Sequence, residues 1–157
     1  KGYDMKTRLI LWILIIILLG VAIWLFLRPS GKPEDKNKIS FTEASVPNPK
    51  AEFPLKKIIT NDAEYQEVFG SSSSGIDFTK YDLALICLGK AYTGGYNVTI
   101  SSITKVQKQA FIHVKDTAPG KNCILIQVIN YPYAAVLFEK TDLPIDWKIE
   151  SVIEDCP

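Results

Sequence analysis

The residues best equipped for covalent chemistry in this chain are one histidine, three cysteines and a run of serines. His113 sits in Phe111-Ile112-His113-Val114-Lys115, where a lone strand histidine more often serves structure or surface than catalysis. A hydrolase needs a base beside a nucleophile, and neither G-x-S-x-G nor a Cys-His signature occurs. Cys87, Cys123 and Cys156 contain no C-x-x-C pair, so neither zinc nor a disulfide framework is indicated. Cys87 lies in an apolar run as a small hydrophobe. Cys123 and Cys156 flank predicted strands and would pair only in an oxidising compartment; free thiols are the expectation. Ser71 to Ser74, followed by Gly75, reads as a solvent loop. Asp142, Asp146, Glu150, Glu154 and Asp155 match no calcium loop. The expectation is a chain without catalytic residues, metal or cofactor.

Recognition chemistry is better represented. Tyr92, Thr93, Gly94, Gly95 and Tyr96 place aromatic rings and a hydroxyl around two glycines. The glycine pair predicts a tight hairpin joining a strand ending near Tyr92 to one starting at Tyr96, with Ala91 opposite Val98 and Gly89 opposite Ile100. The turn is either a plain hairpin or a recognition loop. Phosphate cradling is not supported, since no GKS/T element follows. Asn130-Tyr131-Pro132-Tyr133 forms the second motif: Pro132 lacks an amide donor and interrupts pairing. Its tyrosines are either exposed at a sheet edge or packed with only the hydroxyl in water.

The elements that must carry these motifs follow from hydrophobic patterning. Leu9 to Leu27 is a run of 19 apolar or small residues. At about 1.5 Å per helical residue it nearly matches a hydrocarbon core of about 30 Å, so it predicts a membrane span in an N-terminal segment 1–28. Trp12 and Trp24 lie towards its ends and Arg8 and Arg28 bracket it. A cleaved signal fits less well, because no small-x-small site follows. Lysines and arginines on both sides leave the orientation open. The chain begins with Lys; if Lys1-Gly2 were encoded as a ribosome-binding sequence, Lys1 to Asp4 would be untranslated leader ahead of Met5.

Residues 29–50 read as a linker, polar and Pro-containing at first, with Phe41 and later Phe53 able to dock as short extended pieces. Beyond residue 28 there are 14 Lys and no Arg against 16 acidic residues, a balance of −2, which argues against nucleic acid as a partner. Residues 51–157 form the expected domain. Leu55 to Thr60 reads as a strand. Asn61 as N-cap, Glu64 three residues on and Gly70 as C-cap predict one short helix, with Tyr65, Val68 and Phe69 facing the sheet. Leu83 to Leu88 is continuously apolar and predicts a central strand covered on both sides. Tyr96 to Ile100 alternates, and Phe111 to Val114, Ile124 to Ile129, Ala134 to Phe138 and Trp147 to Ile153 complete the strands. The fold class is mainly β, at the α+β margin: a small antiparallel β-sandwich or partly closed barrel with one short helix.

Ile76-Asp77-Phe78, Leu83 to Gly89, Thr93-Gly94-Gly95-Tyr96, the strand Tyr96 to Ile103 and Asn130-Tyr131-Pro132-Tyr133 together resemble the C-terminal domain of the protease complex subunit PrcB, over roughly residues 55 to 140. The resemblance implies a bacterial, extracytoplasmic domain that binds and stabilises a surface protease and is not itself an enzyme. It implies a protein partner, with residues 9–27 in the membrane. A protease inhibitor inserting the Thr93 to Tyr96 turn into a cleft is one alternative, and an enzyme using Cys123 or His113 is another.

Overall fold

The structure, a computed structural model, describes residues 37–73 and 75–156, together with Ile17 and Leu19. The expected span from Leu9 to Leu27 lies outside the described residues apart from those two. Among the described residues no helix is long and apolar enough to cross a membrane.

Among the described residues from 37 onward, ten strands and one helix follow the order β1 (Lys38–Ile39), β2 (Phe41–Glu43), β3 (Leu55–Ile59), α1 (Asp62–Phe69), β4 (Tyr81–Cys87), β5 (Ala91–Thr93), β6 (Asn97–Val106), β7 (Gln109–Pro119), β8 (Gln127–Asn130), β9 (Tyr133–Glu139) and β10 (Ile145–Glu154). One four-stranded sheet runs β1-β6-β7-β10 and the other β2-β9-β4-β3, while β5 and β8 form a separate ribbon. The arrangement is sandwich-like and no barrel closes.

β4 explains why an uninterrupted apolar run is needed at the centre. Its residues alternate between two cores. Ala84 and Ile86 join Ile103, Ile112, Val136 and Phe138 between the two sheets. Leu83, Leu85 and Cys87 turn the other way, onto Ile59 and onto Tyr65 of α1. Leu83 and Leu85 are fully buried, and each such side chain contributes about 1.5–3 kcal/mol of transfer energy. The helix is framed by its caps as the sequence predicts: Asn61 Oδ1 accepts from Glu64 N–H at 2.9 Å, and Gly70, at φ 72°, donates to Gln66 O at 2.8 Å. Tyr65 stacks on Phe69 with ring centroids 4.4 Å apart.

Four expectations are corrected. The sandwich is not wholly antiparallel: β10 runs parallel to β7, from Ile145 opposite Ala110 to Glu154 opposite Pro119. Hydrophobic alternation carries no strand direction, so the sequence does not reveal this. Residues 38–43, within the segment 29–50 read as a linker, form β1 on β6 and β2 on β9, and Phe41 docks there as a short extended piece against the inter-sheet core. Phe53, by contrast, is 82 % exposed and does not dock. Finally, Cys123 and Cys156 are not free thiols but a disulfide across a separation of 33 residues; no C-x-x-C pattern announces such a bond, because the two sites meet only after β10 folds onto β7.

Candidate functional site

The glycine-tyrosine turn is not the hairpin its spacing suggests. β6 pairs with β7 and β1, and β5 pairs with β8, placing Ala91 opposite Asn130 and Thr93 opposite Gln127. Gly94 N–H donates to Ile126 O at 3.0 Å. The turn thus seals against the strand that leads into Asn130-Tyr131-Pro132-Tyr133, and Asn130 Nδ2 donates to Thr93 O at 2.8 Å. Leu88 N–H completes the junction with a 3.0 Å bond to Pro132 O.

The glycines serve close approach. Gly95 has φ 89°, and a Cβ there would lie 3.0 Å from Pro119 Cβ; Gly94 has no positive φ but abuts the Ile126 side chain. Gly89 is a third such position, at φ 88°, where a Cβ would meet the backbone of Phe53 and Pro54 at 3.0–3.1 Å. Its role depends on a segment 35 residues upstream, so no local turn signal exposes it.

These approaches frame a groove of about 710 Å³ at the open flank of the sandwich, where the edge strands β3 and β10 supply Lys56 and Ile149. Tyr92, Thr93, Tyr96, Ala118 and Pro132 line it from the other elements. Tyr92 and Tyr96 are 67 % and 41 % exposed, an amphipathic pair at the mouth suited to protein contact. Tyr131 does not join them: its hydroxyl donates to Glu52 Oε1 at 3.0 Å, and Asn48 Nδ2 holds its carbonyl at 3.0 Å. Tyr133 is packed, with its hydroxyl on Val46 O at 2.9 Å. Of the eight candidate recognition residues, Tyr92, Thr93, Tyr96 and Pro132 therefore line the groove, while Gly94, Gly95, Tyr131 and Tyr133 are not part of its lining.

Lys90, one of the charged residues lining the groove, is paired. Glu52 sits 3.2 Å from Lys90 Nζ, and this hydrogen-bonded carboxylate holds the Lys90 ammonium above its ordinary pKa. Lys90 Nζ also lies 5.8 Å from the Tyr92 ring centroid.

The residues that the sequence offers for covalent chemistry are poorly placed for it. Cys87 lines it but is buried, which pushes its thiol up to about 11 and disfavours the nucleophilic thiolate. Cys123 is consumed by the disulfide. His113 Nε2 lies 2.8 Å from Thr104 Oγ1 on the neighbouring strand, and the groove lining does not include it. Among the described residues no cluster of His, Cys, Asp or Glu is arranged to hold a metal ion.

Residues 83–139 match the family described as PrcB C-terminal. The family identified from the sequence therefore holds for this stretch, which runs from β4 through β9 and includes both tyrosine motifs. The match begins later than the resemblance suggested, at Leu83 instead of near Leu55. No curated protein and no solved structure matches the chain.

Proposed function

We propose, from the membership of residues 83–139 in the PrcB C-terminal family, that this chain is a non-catalytic interaction module that binds a protease and keeps it active. The observation that carries the reading is the groove itself: the motifs of the matched segment meet there, and Tyr92 and Tyr96 stand at its mouth. Exposed aromatic anchors beside an apolar trough are the usual bearers of protein-binding energy. The inhibitor alternative finds less support. An inhibitory loop must offer its backbone to a cleft, whereas Thr93 O is already bonded to the Asn130 side chain and Gly94 N–H to Ile126 O, just before β8.

We further propose display outside the cytoplasm on a single span from Leu9 to Leu27. The apolar run supports the anchor, and the Cys123–Cys156 disulfide suits an oxidising compartment. Resistance of the full chain to alkaline carbonate extraction tests the anchor, and its cleavage by protease added outside intact cells tests the orientation. Release of the chain and full protection, respectively, would refute them.

The function is tested with a photo-crosslinking residue in place of Tyr92, followed by assay of the captured material for peptide hydrolysis. Active protease in the crosslinked fraction is the expected result, with capture lost in Tyr96→Ala. Captured protease that regains activity only after the chain is removed would establish the inhibitor instead.

A further inference from the structure

β10 closes the sheet β1-β6-β7-β10 and, among the described residues, no strand pairs with its outer side. Long unpaired edges template further pairing, and natural proteins cover or disrupt them. This one is ten residues long and contains neither proline nor glycine.

Its direction of bonding follows from the two ends of its ladder with β7. Ala110 N–H donates to Pro144 O and Gly120 N–H to Glu154 O. In a parallel ladder that parity is kept along the strand, so even-numbered β10 residues direct their backbone groups to β7. The odd-numbered residues, Ile145 to Ile153, therefore direct theirs outward. Their side chains share the inner face: Ile145 and Trp147 pack on the core, Ile149 lines the groove at 45 % exposure, and Ile153 is 74 % exposed.

We propose that this edge pairs with β10 of a second copy of the chain, antiparallel and centred on Ile149, joining two four-stranded sheets into one of eight. Charge pattern and length of overlap together select that register. Centred on Ile149, Lys148 of each copy opposes Glu150 of the other, Ile145 opposes the exposed Ile153 and the two exposed Ile149 residues face each other, so two opposite-charge pairs and apolar pairs are matched at once. Centring on Lys148 or Glu150 sets like charges against each other. Centring on Trp147 matches Asp146 with Lys148, and centring on Ser151 matches Lys148 with Glu154, but these shorten the overlap to 145–149 and 148–154, against 145–153 for the Ile149 centre. The interface is isologous and closes on two copies. It also brings the two Ile149 side chains together, so the two grooves meet across the two-fold axis.

The test is sedimentation equilibrium of the full chain in density-matched detergent, with far-ultraviolet circular dichroism of every variant as the check on folding. The wild type is expected to be a dimer. Lys148→Glu and Glu150→Lys each set like charges opposite one another and should weaken the dimer about tenfold or more, while the double variant Lys148→Glu/Glu150→Lys restores it. Ser151→Pro, which removes an outward N–H without touching the β7 ladder, should also dissociate it. A monomeric wild type, single variants that remain fully dimeric, or a double variant that is not restored would each overturn the proposal.

Discussion

Asn130 Nδ2 donates to Thr93 O at 2.8 Å, a bond between residues 37 positions apart that fastens the Thr93 to Tyr96 turn to the Asn130 to Tyr133 motif. Two segments that read as independent turns are in this way one structure, the wall of the groove. Asn130→Ala is expected to cost about 1 kcal/mol, the usual net worth of such a bond, and to speed amide exchange at Gly94 while exchange in β4 stays slow. Equal acceleration at both sites would show that the ribbon does not open on its own.

The two glycines of the turn should respond differently to the same substitution. Gly95→Ala forces an L residue into φ 89° and a contact 3.0 Å from Pro119 Cβ, so a loss of at least about 1 kcal/mol is expected in a urea melt. Gly94→Ala meets only the Ile126 side chain, itself 72 % exposed and able to move aside, and should cost less than about 0.5 kcal/mol. Equal losses would place the strain elsewhere.

Asp82 is buried at the start of β4, and Lys140 Nζ lies 3.1 Å from its Oδ1. The ammonium directs its hydrogen bonds to Phe78 O at 3.1 Å and Thr60 O at 3.3 Å, so it holds the carboxylate by charge. Lys140→Met leaves that charge uncompensated. Breaking a fully buried pair costs about 3–5 kcal/mol; because the lysine is 42 % exposed, water can replace part of it, and about 2 kcal/mol is expected. Adding Asp82→Asn should recover some of the loss, and no recovery would mean that Lys140 acts through its carbonyl contacts alone.

What the sequence reveals and what it hides divide along local and non-local lines. The caps of α1 and the two-faced burial of β4 are written within a few residues, as are the buried Val98 and Ile100 of β6. The partner of β5, the direction of β10 and the Cys123–Cys156 bond depend on segments more than thirty residues apart. Glycines show the same divide: Gly70 announces its role beside the helix it ends, whereas Gly89 is needed only because the backbone of residues 52–54 passes over it. The groove combines both kinds of information, which is why its tyrosines are legible and its shape is not.

Reduction should expose how much of β10 depends on the disulfide. Cys123–Cys156 closes a separation of 33 residues beside the 2.8 Å bond from Gly120 N–H to Glu154 O. Loss of such a crosslink costs about 3 kcal/mol. Dithiothreitol, or Cys123→Ala/Cys156→Ala, is expected to lower the melting temperature and to release amide protection first at Val152 and Glu154. An unchanged melting temperature would show that β7 pairing alone suffices.

The pH profile of stability should have a limb at each end. Glu64 is held below its ordinary 4.5 chiefly by the Thr60 N–H, and Asp62 and Asp77 below 3.8 chiefly by the hydroxyls of Ser73 and Thr79. A folded-state pKa below the unfolded one contributes stability that is complete above the unfolded value and is lost as pH falls through the folded one. The acid limb therefore begins below 4.5. Lys90 and Lys115 are raised above 10.5 chiefly by hydrogen bonds to Glu52 and Glu154, so their contribution is complete below that value and is lost as pH rises through the folded values. Thermal melts across both limits are expected to give a plateau between them, with the acid limb made shallower by Glu64→Gln. A limb left equally steep in Glu64→Gln would remove the helix N-terminus from the account of acid unfolding.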